Sequence, residues 1–151
     1  MPAPLLVFGW GNASRGDDAL GPLFVQRLSE MLDAAQRDRV ELLEDYQLQV
    51  EHTLDLIGRE RVLFVDASVD ATAPFAAAPV AAAQAADAAS HALSPAALLR
   101  VYLKLNGEVA PPCTLLAIRG EQFGLGQPLS DTAASNLQAA LRWARGWVGE
   151  S

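Results

Sequence analysis

One cysteine, Cys113, is all that this 151-residue chain contains. That excludes an internal disulfide and a cysteine-built zinc cage, and it fits a reducing compartment. Basic residues are scarce, 11 against 18 acidic ones, for a net charge of −7. A surface of that sign argues against a nucleic-acid partner and offers no polybasic patch to a membrane. No Lys or Arg occurs between Val62 and Leu99. No apolar run is long enough to span a bilayer. The opening Met1-Pro2-Ala3-Pro4 lacks the basic segment of a secretory signal, so a cytoplasmic protein is expected. Hydrolase signatures are missing as well. There is no G-x-S-x-G nucleophile elbow, and Glu51-His52 has no second histidine one turn on to make a zinc-protease motif. His52 is expected on the solvent face of a short helix. What remains is a chain that is 51% hydrophobic, read as a single globular domain over residues 1–151.

The organising stretch is Leu5 to Gly21. Leu5-Leu6-Val7-Phe8 reads as a buried strand, and Gly9 and Gly11 permit a sharp exit from it. Asp17 and Asp18 follow, and Leu20, Leu23, Phe24 and Leu28 then recur at helical spacing. Gly9-x-Gly11 invites comparison with a dinucleotide loop. Ser14 stands where that loop needs its third glycine, and two carboxylates at a helix start repel a phosphate. The placement suits a cation or a polarised water. Asp17 is equally well read as a helix cap, a role that Asp favours. Asp18 lacks that explanation and is the better functional candidate.

Taken in order, the first helix is expected over Asp18–Gln36 and a strand over Val40–Glu44. A loop follows over Asp45–Gln49, with a short helix from Val50 to Ile57 ending at Gly58. Arg61–Asp66 is the clearest buried strand. Phe75–Ala83 is read as an edge strand because of Pro79, although its alanines favour helix. Ser94-Pro95 marks a helix start, with Ser as cap and Pro in the first turn, and that helix runs to about Leu105. Cys113–Ile118 is a last strand, Gly120–Leu129 a glycine-rich loop, and Ser130 caps a final helix reaching about Val148. Strands alternating with helices predict an α/β three-layer sandwich. Its sheet has about five mostly parallel strands, one antiparallel edge strand and helices on both faces.

Ligands of such sheets sit at the carboxyl ends of the strands, where strand order reverses. With the first strand central, Asp66 faces the loop that carries Asp18. His91, in the loop after Phe75–Ala83, is the third candidate. Each has a plainer reading, as a cap, a turn residue or a surface histidine. Together, two carboxylates and an imidazole form a divalent-metal set. Sharing one cleft, the two carboxylates are expected to raise each other's pKa by repulsion. A nucleophile is not evident, since Ser90 is merely next to His91 in the chain and Cys113 opens a buried strand. Asn12 is read as a turn residue.

Gly9-Trp10-Gly11-Asn12 followed by Asp17-Asp18-Ala19-Leu20-Gly21 resembles the opening motif of the [NiFe]-hydrogenase maturation endopeptidases. Val65-Asp66-Ala67 resembles that family's second motif, Ser90-His91 its third, and Leu129-Ser130 its entry to the last helix. The resemblance covers essentially the whole chain. It implies an enzyme that removes the C-terminal extension of a hydrogenase large-subunit precursor after nickel insertion. It places the catalytic and metal-contacting groups at Asp18, Asp66 and His91, with Asp18 standing where some members carry glutamate. It implies that the nickel belongs to the substrate and serves as a recognition handle, with no tightly bound metal in the enzyme. Gln47–Glu51 marks a subfamily in this reading, one serving soluble cofactor-reducing hydrogenases. Nickel polarising the scissile carbonyl and a carboxylate acting as general base both remain open. So does a non-catalytic metal- or peptide-binding module, as the alternative to an enzyme.

Overall fold

A computed structural model describes residues 2–84 and 93–149 of the chain. The elements are β1 (Leu5–Trp10), a 3₁₀ turn (Gly16–Ala19), α1 (Leu20–Met31), α2 (Ala34–Arg39), β2 (Val40–Asp45), a second 3₁₀ turn (Val50–Leu56) and β3 (Arg61–Ser68). β4 (Phe75–Pro79), α3 (Pro95–Asn106), β5 (Cys113–Arg119) and α4 (Asp131–Gly149) complete them. Among the described residues five strands form one sheet in the order β2-β1-β3-β5-β4. β1 pairs in parallel with β2 on one side and β3 on the other, and β3 with β5. β4 runs antiparallel at the edge, with Phe75 opposite Ile118. The chain leaves β1 for one neighbour and later returns to its other side, so the switch in strand order lies between β1 and β3. This is the expected α/β architecture.

Alternation along the strands sorts the core into two layers. Leu5, Val7, Leu63, Val65, Leu116 and Ile118 face α1 and α4, meeting Leu20, Phe24, Leu28, Leu137 and Leu141. Leu6, Phe8, Trp10, Val62 and Phe64 face α3 and the second 3₁₀ turn, meeting Leu56, Leu98, Leu99 and Tyr102. Asp66 continues the second series and lies on that face at the carboxyl edge.

Several boundaries differ from expectation. The first helix breaks at Leu32, whose extended backbone buries its side chain. Asp33 and Gln36 then close a capping box that starts α2 afresh. β4 stops at Pro79, because β5 begins at Cys113 and residues beyond Val80 have no strand to pair with. The segment after Gln49 is a 3₁₀ turn, not an α-helix. At α3 the caps are as read, with Ser94 Oγ accepting from Ala97 N.

Where α1 crosses β1 the two backbones touch. A Cβ on Gly9 would overlap the Gly21 carbonyl, and a Cβ on Gly21 would overlap the Trp10 carbonyl. This crossing seats the 3₁₀ turn, with Asp17 and Asp18, directly above the end of β1. Gly146, by contrast, is exposed within α4 and has no atom in the way. Gly21→Ala is therefore expected to cost about 1–3 kcal/mol or more of stability by forced overpacking. Gly146→Ala should add about 0.5–1 kcal/mol through helix propensity. Thermal melts of the two variants check both signs.

Candidate active site

Three carboxylates gather at the carboxyl edge, each in a different environment. Asp17 is fully buried. Its Oδ2 accepts from Glu121 N at 2.7 Å, Gln122 N at 3.1 Å and the Ser130 hydroxyl at 2.7 Å, while Oδ1 accepts from Ser130 N at 2.7 Å. Burial alone would push this carboxyl up, but hydrogen bonds from Glu121, Ser130 and Gln122 outweigh it and hold it below its ordinary value. The expected capping role is corrected. Asp17 makes no cap bond within its own turn. It ties down the remote 120–130 loop instead, and orients Ser130, whose Oγ also caps α4 through Ala133 N at 3.1 Å.

Asp18, half-buried, accepts on Oδ2 from Asn12 N at 2.7 Å. Asp66, also half-buried, accepts on Oδ1 from Ala67 N at 2.8 Å. Among the described residues neither Asp18 Oδ1 nor Asp66 Oδ2 takes a hydrogen bond. Burial raises the Asp66 carboxyl, the Ala67 amide opposes it and the Asp18 charge adds to it, leaving it pushed up to about 7. Asp66 thus lies close enough to Asp18 to feel its charge, though desolvation, not that repulsion, is the main cause of the shift. His91 and Ser90 lie outside the described residues. Among the described residues no group of three His, Cys, Asp or Glu side chains stands ready to hold a metal, and Asp18 and Asp66 supply two oxygen donors.

The glycine loop is not a phosphate cradle. Its amides are spent inside the protein: Gly11 N on Asp45 O, Asn12 N on Asp18, Ser14 N on Asn12 Oδ1, Arg15 N on Asn12 O and Gly16 N on Gln127 O. Cys113 lies at the opposite end of the sheet, paired with Val62, and burial pushes its thiol up to about 12. It is no nucleophile.

His52 is misplaced by the sequence reading. Its ring packs edge-on against Phe8 at 4.4 Å, Nδ1 accepts from Gln49 N at 2.8 Å, and Nε2 meets Asp45 Oδ2 at 3.1 Å. The Gln49 amide requires an unprotonated Nδ1, so Nε2 carries the proton and donates it to Asp45. Trp10, Gln47, Leu48, Gln49, Val50, Glu51 and Leu93 line a cavity of about 380 Å³ beside this pair. No local signal in the chain announces it, since its walls come from three separate segments.

Solved structures with this architecture include a [NiFe] hydrogenase maturation protease, HycI, from Thermococcus kodakarensis KOD1, with a TM-score of 0.76 at 19% identity over 98% of this chain and 94% of that one. The hydrogenase maturating endopeptidase HybD from E. coli gives 0.73 at 24% identity over 98% and 92%. The chain has the fold of the hydrogenase maturation proteases. A hydrogenase 2 maturation peptidase from a Thaumarchaeota archaeon follows at 0.66 and 24% identity, over 96% of this chain and 97% of that one. No protein-family model and no curated protein matches the chain in sequence. The resemblance carried by the glycine–aspartate motifs holds at the level of fold over nearly the whole length.

Two carboxylates of this maturation-protease fold make opposite pH predictions. Asp17, with its depressed folded pKa, contributes stability above the unfolded value near 4, lost as pH falls through the folded value. Asp17→Asn turns an amide NH₂ toward N–H donors and should cost at least about 2 kcal/mol at pH 7, with the gap to wild type narrowing at acidic pH. Asp66 has a raised folded pKa, so its environment carries no penalty below about pH 4 and an increasing one as pH rises through about 7. Asp66→Asn keeps an oxygen for the Ala67 amide. It should melt above wild type at pH 8 and level with it near pH 4.

Proposed function

We propose that this protein is an endopeptidase that removes the C-terminal extension of a [NiFe]-hydrogenase large-subunit precursor after nickel has been inserted. The observation that carries the reading is the pairing of Asp18 with Asp66 at the β1/β3 switch point, in a chain with the fold of hydrogenase maturation proteases. Asp18 Oδ1 and Asp66 Oδ2 are oxygen donors free of protein partners among the described residues. They suit a borderline divalent ion presented by the substrate. The third contact in this proposal is His91, carried by the motif resemblance alone. The nickel arrives with the precursor and acts as the handle that registers the scissile bond. Asp18 and Asp66 contact it and hold the peptide over the edge, where proximity supplies much of the rate. Attack by water on the carbonyl then needs a base. One of these two carboxylates supplies it in this reading, through its oxygen that has no protein partner among the described residues. The reaction takes place in the cytoplasm in this reading.

Mass spectrometry of purified precursor with and without nickel is the test. Loss of a C-terminal peptide is expected from the nickel-loaded form only. Asp18→Asn should slow that loss by at least about a hundredfold while leaving a cooperative melt. Equal cutting of nickel-free precursor would remove nickel as the handle. Tight complex formation without any cleavage would mark a binding module.

A further inference from the structure

Asn12 is fastened on three sides. Its backbone N–H donates to Asp18 Oδ2 at 2.7 Å, its Oδ1 accepts from Ser14 N at 2.8 Å, and its Nδ2 donates to the Tyr46 hydroxyl at 2.6 Å. The residue before it, Gly11, has a positive φ and lies so close to the Asp18 carbonyl that no side chain fits there. Gly11 N also donates to Asp45 O at 3.2 Å. Tyr46 is held in turn. Its N–H donates to Asp45 Oδ1 at 2.6 Å, and Asp45 Oδ2 meets His52 Nε2 at 3.1 Å. Hydrogen bonds therefore run without a break from Asp18 through Asn12 and Tyr46 to Asp45 and His52, joining the loop after β1 to the loop after β2.

The Tyr46 ring does not account for its own position by burial, since the residue is 63% exposed. Its oriented contact is the hydroxyl on Asn12. The Ser14 amide fixes one end of the Asn12 amide group, and Tyr46 fixes the other. With both ends held, the turn presents the Asn12 N–H to one Asp18 oxygen. The other oxygen is left without a protein partner among the described residues.

We propose that Tyr46 is a positioning residue for Asp18, acting through the Asn12 side chain. The proposal rests on the assignment of Asp18 to the reaction given above. A carboxylate that swings by a fraction of an ångström loses much of its advantage over a free one. The strap also links the loop that holds Asp18 to the segment that walls the cavity beside Trp10.

Tyr46→Phe removes the hydroxyl and keeps the exposed ring, so both the fold and the ring current persist. The expected kinetic result is a fall of about fivefold in kcat for nickel-loaded precursor, the value of one ordinary hydrogen bond, with KM unchanged. In an Asn12→Ala background, Tyr46→Phe should change nothing further, because the link is already cut. A raised KM, or the same loss in both backgrounds, would make Tyr46 a substrate contact and overturn the proposal. A second reading needs no activity. In ¹H–¹⁵N spectra the Asn12 backbone amide should move on Asp18→Asn and also on Tyr46→Phe. An Asn12 amide indifferent to Tyr46→Phe would overturn the proposal, even if the precursor is cut. If wild type cuts no precursor while the amide responds as expected, the strap stands and the endopeptidase reading alone fails.

Discussion

Asp17 is a buried negative charge that no ion pair neutralises among the described residues. Burying a carboxylate is costly unless its oxygens are fully hydrogen-bonded. Here the donors are backbone amides of Glu121, Gln122 and Ser130 with the Ser130 hydroxyl, all from the far side of the chain. The 120–130 loop must therefore sit on the first 3₁₀ turn, and the start of α4 must follow it. That one requirement joins the loop after β1 to the segment after β5, and so closes the wall of the cleft behind Asp18.

The glycine crossing works from below. Gly9 and Gly21 let α1 lie directly on β1, which raises the Asp17–Asp18 pair over the end of the strand. Asp17 then turns inward to be consumed by structure. Asp18 keeps one oxygen without a protein partner among the described residues, and looks across to Asp66. Neighbours in sequence thus acquire different surroundings. The inward one is held ionised by amide donors. The cleft is desolvated enough to raise Asp66, with Asp18 adding to the effect. A site that desolvates the Asp66 carboxylate is built at some cost in stability.

Beside the two carboxylates, the end of β2 and the segment after it are bound to the loop after β1 at Gly11 and Asn12. His52, packed on Phe8 and bonded to Asp45, anchors that segment to the core.

The sequence by itself determined what local signals can carry. The periodicity of Leu20 to Leu28, the Ser94-Pro95 start, the apolar run Val62–Val65 and the Pro79 edge placed most elements, and the glycine–aspartate motifs placed the edge at which the carboxylates meet. Each of these acts within a few residues, through hydrogen bonds and packing of the element itself. It preferred Asp18 to Asp17 for function but read Asp17 as a helix cap, put His52 in solvent, took Asn12 for a simple turn residue and ascribed the Asp66 shift to repulsion. Those matters were decided by tertiary structure. The partner that separates Asp17 from Asp18 is Ser130, 113 residues away. The burial that raises Asp66 comes from packing around the sheet edge, and the bond that engages Asn12 spans 34 residues. A hydrogen bond or a desolvation of that range depends on which strands lie side by side, and only the folded sheet brings those groups together.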